Sequence, residues 1–147
     1  LTGAEGTARI AQLGEKVIAT TSPLGLPMYA GYRSMPLAGD AAARALQVMF
    51  VLRELRGDVH FKALSLTDIT PVEAHMLHGG RDYTMMFGWA EPFADGADKK
   101  ERYVEVEATT NRRMTEILGA ALDDDEVAEL ARLTVGALAS LKANVPG

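Results

Sequence analysis

Three histidines and an aspartate are the residues of this chain whose types and spacing could support acid–base chemistry or metal binding. His75 and His78 are three positions apart and would share one face of a helix. Imidazoles together with a carboxylate can bind a divalent metal or transfer a proton. We therefore consider a metal or acid–base site formed by Asp58, His60, His75 and His78, with a divalent metal as the candidate cofactor.

The same residues also have a structural interpretation, and the sequence favours it. Gly57 is suited to the end of a helix, and Asp58 to the N-cap of the helix that follows. His78 would lie near a helix C-terminus, where a protonated imidazole is stabilised. In this interpretation no residue is catalytic and no cofactor is required.

Other enzyme chemistries have little support in the sequence. The absence of cysteine excludes a thiol nucleophile, a disulfide framework and a zinc–thiolate site. No serine lies in a glycine elbow between a strand and a helix, and no glycine-rich loop is built to hold a phosphate. We therefore expect a non-enzymatic protein.

Aromatic and methionine side chains are concentrated in two segments, residues 23–39 and 81–98, and they indicate a ligand pocket. Aromatic rings and flexible thioethers suit a small apolar ligand, and an arginine could hold an anionic group on it. Core packing and salt bridges are the alternative roles of these side chains. The candidate ligand-binding residues are Tyr29, Tyr32, Arg33, Arg56, Met85, Met86, Phe87 and Trp89.

Composition limits the class of protein and its partners. A chain of 147 residues with 48% hydrophobic and 24% charged residues fits one globular domain, residues 1–147. No apolar run approaches the length of a membrane span, and we expect a cytoplasmic protein with no membrane partner. The net charge of -5 disfavours DNA, because binding to phosphates depends on lysine and arginine.

Hydrophobic periodicity and capping residues predict an all-α fold. The first helix is expected from about Gly3, with Thr2 as its cap, to Thr20. A second helix should begin at Asp40 and end at Gly57, and a short helix should follow from Asp58.

The second half of the chain is predicted in the same way. Thr70, Pro71 and Glu73 predict the start of a helix that ends near His78. Residues 81–98 are expected to be irregular, and two long amphipathic helices should occupy about residues 99–143. The centre of the fold, residues 41–79, would then be helix-turn-helix-like.

Residues 52–60 read LRELRGDVH. This stretch matches the pattern LRExRGDxH, and with several other short motifs it resembles a largely uncharacterised actinobacterial family described as helix-turn-helix-like. The likeness spans roughly residues 24–141 and also includes Ala63-Leu64, Glu73-Ala74, Leu77-His78, Gly88-Trp89 and Val106-Glu107-Ala108.

The resemblance implies a relation to winged-helix transcriptional regulators, with one difference. Only residues 90–100 separate the Gly-Trp pair from the last helices, so the winged region should be absent or vestigial. The segment from Asp58 to Asp82, both included, contains two positively charged and four negatively charged residues. This charge also disfavours DNA binding. We expect a regulatory module that binds a small apolar ligand or a protein; the alternatives are a DNA-binding regulator and a metal or acid–base enzyme.

The two C-terminal helices are also expected to form a homodimer interface, as in the regulators that the family resembles. Sedimentation equilibrium at tens of micromolar protein should then give a dimer mass. A monomer mass at every concentration would eliminate this interface.

Overall fold

The computed structural model describes residues 4–143, with side chains from residue 6 onward. Within this range the regular secondary structure consists of helices joined by turns and loops, which confirms the all-α prediction, and no strand of a wing is present. The six α-helices are α1 (Ala4–Thr20), α2 (Pro27–Arg33), α3 (Ala41–Ser65), α4 (Pro71–Met86), α5 (Lys100–Ala121) and α6 (Asp124–Ala143). The predicted cap of the first helix, Thr2, and its predicted start at Gly3 lie outside the described residues.

The chain forms two compact units. The terminal unit comprises Leu1–Asp58 and Arg113–Gly147, and the central unit comprises Val59–Arg112. In the central unit the end of α3, a turn at residues 66–70, α4 and the start of α5 follow one another along the chain. The helix-turn-helix centre predicted for residues 41–79 corresponds to α3, this turn and the first part of α4.

The terminal unit is held together by packing among α1, α3 and α6. Ile10, Ala45, Leu133 and Ala137 form a buried cluster at this junction. Gly14 lets α1 approach α3 closely, because a Cβ at this position would lie 2.2 Å from a methyl group of Val48.

The prediction that a helix ends at Gly57 is wrong. Helix α3 passes through Gly57 and ends at Ser65, so Asp58 is not an N-cap and the short helix predicted after it belongs to α3. A glycine in a helix interior costs only about 1 kcal/mol, and burial of Leu55 and Val59 on either side of it favours continuation of the helix. The carboxylate of Asp58 instead accepts a hydrogen bond from the backbone N–H of Tyr29 at 2.8 Å.

The central unit has its own core. Leu64 from α3, Ile69 from the turn, Ala74 from α4, and Tyr103 and Val106 from α5 pack together and are buried. This core places α4 against both its neighbours in sequence.

Helix α4 begins as predicted but ends later than predicted. Thr70 and Glu73 form a complete capping box, and Pro71 occupies the first turn. The helix is interrupted at Gly80, whose φ of 74° and ψ of -166° are not helical, and then resumes to Met86. The prediction that residues 81–86 are irregular is therefore wrong, although the glycine pair does break the helix. Thr84, which is fully buried, donates a hydrogen bond to the carbonyl of Gly80 at 2.9 Å across this break.

The backbone conformation of Gly80 is accessible almost only to glycine. Nothing lies within 4 Å of a Cβ built at this position, so a side chain would meet backbone strain but no clash. We expect Gly80→Ala to lower the free energy of unfolding by about 1–3 kcal/mol. Urea unfolding followed by circular dichroism measures this change.

Gly119→Ala is the matched control. Gly119 lies within α5, also has nothing within 4 Å of a Cβ placed on it, and has no positive φ. Alanine there should raise the free energy of unfolding by about 0.5–1 kcal/mol. Equal effects of the two substitutions would contradict the importance of the break at Gly80.

Candidate functional site

The end of α4 carries a cluster of aromatic rings in the central unit, which contact one another at tilted angles. The ring centroids of His75 and Phe87 are 4.5 Å apart, those of Tyr83 and Phe87 are 4.9 Å apart, and those of His78 and Tyr83 are 5.1 Å apart. The interruption at Gly80 comes between the histidines and the later rings, so the cluster depends on both parts of α4.

Trp89 joins this cluster through a hydrogen bond. Its Nε1 donates to Nδ1 of His75 at 2.9 Å, and the two rings lie edge to face. Because an indole N–H can only donate, Nδ1 of His75 must be unprotonated and the imidazole neutral. Burial and the neighbouring His78 lower the pKa of His75 below its usual 6.5, which is consistent with this state.

The apolar side chains around the cluster are exposed although they are large. The exposed fraction is 44% for Met85, 71% for Met86, 53% for Phe87 and 39% for Trp89. We call these four residues the α4 apolar surface. Hydrophobic side chains that are adjacent and exposed commonly mark a binding surface.

The other predicted ligand-binding residues lie in the terminal unit, and most of them are engaged there. Tyr29 is fully buried, and its hydroxyl donates to the carbonyl of Ile18 at 3.0 Å. Arg33 donates to the carbonyl of Thr21 at 2.7 Å, and Tyr32 stacks edge to face on Phe50 with centroids 4.8 Å apart. Arg56 is exposed on α3. The structure thus distributes the predicted pocket residues over two units.

The histidines also separate into different environments. No group of three or more His, Asp or Glu side chains that could hold a metal occurs within residues that the structure describes. Asp58 belongs to the terminal unit, whereas the three histidines belong to the central unit. His75 is bound to Trp89, as described above.

His60 and His78 are connected through two residues that the sequence did not single out as site residues. Nδ1 of His60 lies 3.2 Å from Oε1 of Glu107. The hydroxyl of Tyr103 lies 3.4 Å from the same oxygen and 3.2 Å from Nδ1 of His78. Tyr103 can donate its one proton to Glu107 while accepting from His78. Tyr103 and Glu107 are four positions apart on α5, and this spacing is the signal that could have indicated them.

Glu73 ties together the turn, α4 and the residues before α5. Its carboxylate accepts from the backbone N–H of Thr70 at 2.8 Å and from Nζ of Lys99 at 2.8 and 2.9 Å. Glu73 is buried, and the hydrogen bonds from Lys99 and Thr70 lower its pKa from 4.5 to about 2. Lys99 also donates to the carbonyl of Asp68 at 3.0 Å.

Several cations of the central unit are therefore already bound to carboxylates. In addition to Lys99 with Glu73, Arg102 pairs with Asp68 and Arg81 pairs with Glu91. By sequence this unit contains six lysines and arginines against nine aspartates and glutamates. A polar groove of about 290 Å³ beside α5 also has more acidic than basic residues. Its lining consists of Asp68, Asp98, Glu101 and Glu105 together with Lys99 and Arg102.

The order of helices and the family comparison agree on the class of protein. Two helices joined by a short turn, packed on a third helix, define a helix-turn-helix module. Residues 1–100 match the model of a helix-turn-helix family, and the chain belongs to that family. No curated protein and no solved structure matched the chain. Among the described residues no helix combines the length and the apolar character that a membrane span requires.

Trp89, the only tryptophan of the chain, makes the state of His75 measurable. Protonation of His75 removes the acceptor at Nδ1, so Trp89 emission should titrate with a midpoint below 6.5. Because the folded-state pKa lies below the unfolded value, His75 favours folding most above pH 6.5, and this contribution is lost as the pH falls. In His75→Gln the emission should no longer titrate in this range, whereas His78→Gln should retain a titration. A titration that survives in His75→Gln would contradict the assignment.

Glu73 should dominate the acid sensitivity of the central unit. Since its pKa in the folded protein is about 2 and its ordinary value is 4.5, the ionised carboxylate stabilises the fold above pH 4.5. This contribution is lost as the pH falls from 4.5 toward 2. Urea unfolding at pH 7 and pH 3 should show a smaller loss of stability in Glu73→Gln than in the unmodified protein. Glu105 is exposed on α5, and Glu105→Gln is the control. This variant should lose as much stability between pH 7 and pH 3 as the unmodified protein does.

Proposed function

We propose that this chain is a non-enzymatic regulatory module whose central unit binds a protein partner through the α4 apolar surface. The observation that carries the proposal is the exposure of Met85, Met86, Phe87 and Trp89 beside a set of stacked rings. The rings are held by mutual contacts and by the Trp89–His75 hydrogen bond. A surface that is ordered before binding loses little conformational entropy when a partner arrives.

The exposure of these residues favours a protein over a small apolar ligand. Pockets for small molecules typically enclose most of the ligand surface. Here the four side chains are between 39% and 71% exposed, which suits a broad contact with another chain. The residues of the predicted pocket that lie in α2 support the same choice, because Tyr29 and Arg33 are satisfied by backbone carbonyls of their own unit.

Binding of duplex DNA is the second candidate, and membership of a helix-turn-helix family is what favours it. In that mode α4 would be the recognition helix. The charge of the central unit opposes it, because carboxylates outnumber cations and the pairs Lys99–Glu73, Arg102–Asp68 and Arg81–Glu91 would have to open to release positive charge.

We also infer that the chain belongs to the actinobacterial group with the LRExRGDxH pattern, read here at residues 52–60.

The homodimer is a separate proposal, and α6 supports it. Leu133 and Ala137 are buried, whereas Val135 and Leu138 on the same helix are 68% and 49% exposed. A second copy could cover these two side chains.

Site-specific photocrosslinking tests the protein-binding proposal. A benzophenone amino acid at position 86, in the source cell, should form discrete protein adducts. The same group at position 24 is the control, since Leu24 is 86% exposed and lies in the terminal unit. Absence of protein adducts specific to position 86, or adducts with DNA there, would refute the proposal.

A DNA-retention measurement completes the test. Mixed-sequence duplex DNA should show no tight, salt-sensitive retention by the purified protein. If such retention is found, the second candidate replaces the first.

A further inference from the structure

The residues around the α4 apolar surface carry a definite charge. Residues 81–98 contain one arginine against four carboxylates, which are Asp82, Glu91, Asp95 and Asp98. The arginine is Arg81, and it is held by Glu91 through two hydrogen bonds of 2.8 and 2.9 Å. Its charge is therefore largely neutralised, and the segment is acidic overall.

Asp82 is the carboxylate closest in sequence to the methionines. Its side chain is 98% exposed, and its contact with Arg81 is a long 3.5 Å. Asp82 precedes Met85 and Met86 by three and four positions on the same helical segment, so the three side chains share a face. The apolar surface thus has an anionic residue at its edge.

This combination distinguishes among the partners that an apolar surface can have. A second copy docked surface to surface would offer Asp82 an equally acidic segment and no available cation, which is unfavourable. DNA and anionic lipid carry the same sign of charge as the segment. A partner that is apolar on one side and positively charged at its flanks satisfies both features.

The side chains of the surface fit such a partner in shape as well as in charge. Methionine is unbranched and polarisable, and methionine-rich surfaces adapt to the apolar faces of many helices. Phe87 and Trp89 supply rigid walls, because both contact His75 in the stacked cluster. Flexible residues beside fixed rings are typical of grooves that accept an amphipathic helix.

We infer that the α4 apolar surface binds a cationic amphipathic helix, with Met85, Met86, Phe87 and Trp89 contacting its apolar face and Asp82 contacting its lysines or arginines. This inference rests on the proposed function and specifies the chemistry of its protein partner.

Fluorescence of Trp89 provides a direct assay with defined probes. A leucine–lysine model helix of about 18 residues, or five turns, should shift the emission on binding. A leucine–glutamate peptide with the same apolar pattern should bind roughly tenfold more weakly or not at all. A scrambled leucine–lysine peptide, with the same charge but no apolar face, should also bind more weakly.

Two variants and a matched control identify the contacts. Asp82→Lys and Met86→Asp should each lower the affinity for the leucine–lysine helix by roughly tenfold. Glu105→Lys is the control, because it changes the net charge as Asp82→Lys does but lies on α5. The affinity of this variant for the leucine–lysine helix should stay within about twofold of that of the unmodified protein. Circular dichroism of each variant establishes that it is folded.

The outcomes separate this inference from the proposed function. If the glutamate peptide binds as well as the lysine peptide, and Met86→Asp abolishes both, the charge assignment is wrong while a protein-binding surface remains. Equal weakening by Asp82→Lys and Glu105→Lys would mean that the attraction is general, and the inference fails. If Met86→Asp changes the binding of no peptide, both the inference and the proposed function fail.

Discussion

A carboxylate removed from water must find donors for its charge, and Glu73 is the residue at which the central unit meets this requirement. Thr70 supplies the donors of a capping box, so the turn at residues 66–70 must end in the geometry that starts a helix. Lys99 supplies the countercharge, so the residues before α5 must return to the start of α4. Gly96 contributes to this return, because a Cβ there would lie 2.9 Å from the side chain of Glu73. One buried group therefore links the turn, α4 and the start of α5.

The same arrangement limits what the unit can bind. A helix-turn-helix module that reads DNA keeps cations available on its surface. In this chain Lys99 is committed to Glu73, and Arg102 and Arg81 are committed to other carboxylates. The exposed side chains at the end of α4 are instead those of methionines and aromatic residues. The fold of a helix-turn-helix protein is thus combined with an exposed apolar surface, which is the surface that we propose binds a protein.

Much of the secondary structure could be predicted because its signals are local. Thr70, Pro71 and Glu73 specify the start of α4 within four residues, and Asp123 accepts a hydrogen bond from the backbone N–H of Glu126 at the start of α6. Gly57 did not end the helix because one glycine costs only about 1 kcal/mol in a helix interior, and the helix continues past it with Leu55 and Val59 buried. The helical turns after Gly80 were missed for a related reason, since the backbone can leave the helix at one glycine and return to it immediately.

The site residues show where sequence reasoning stops. The residue types alone determined that this is a helical protein without cysteine chemistry, acidic in net charge, with histidines and aromatic residues concentrated before and after a glycine pair. Only the tertiary structure decided which of them meet. His75 accepts a hydrogen bond from Trp89, and Asp58 accepts one from the backbone of Tyr29. His60 contacts Glu107, and Tyr103 connects Glu107 to His78. The physical reason is that capping and periodicity act over a few residues along the chain, whereas these contacts join residues as many as 47 positions apart, from His60 to Glu107. Such pairs form because packing of α3, α4 and α5 around Leu64, Ala74 and Val106 brings them into reach, and no local pattern encodes that distance.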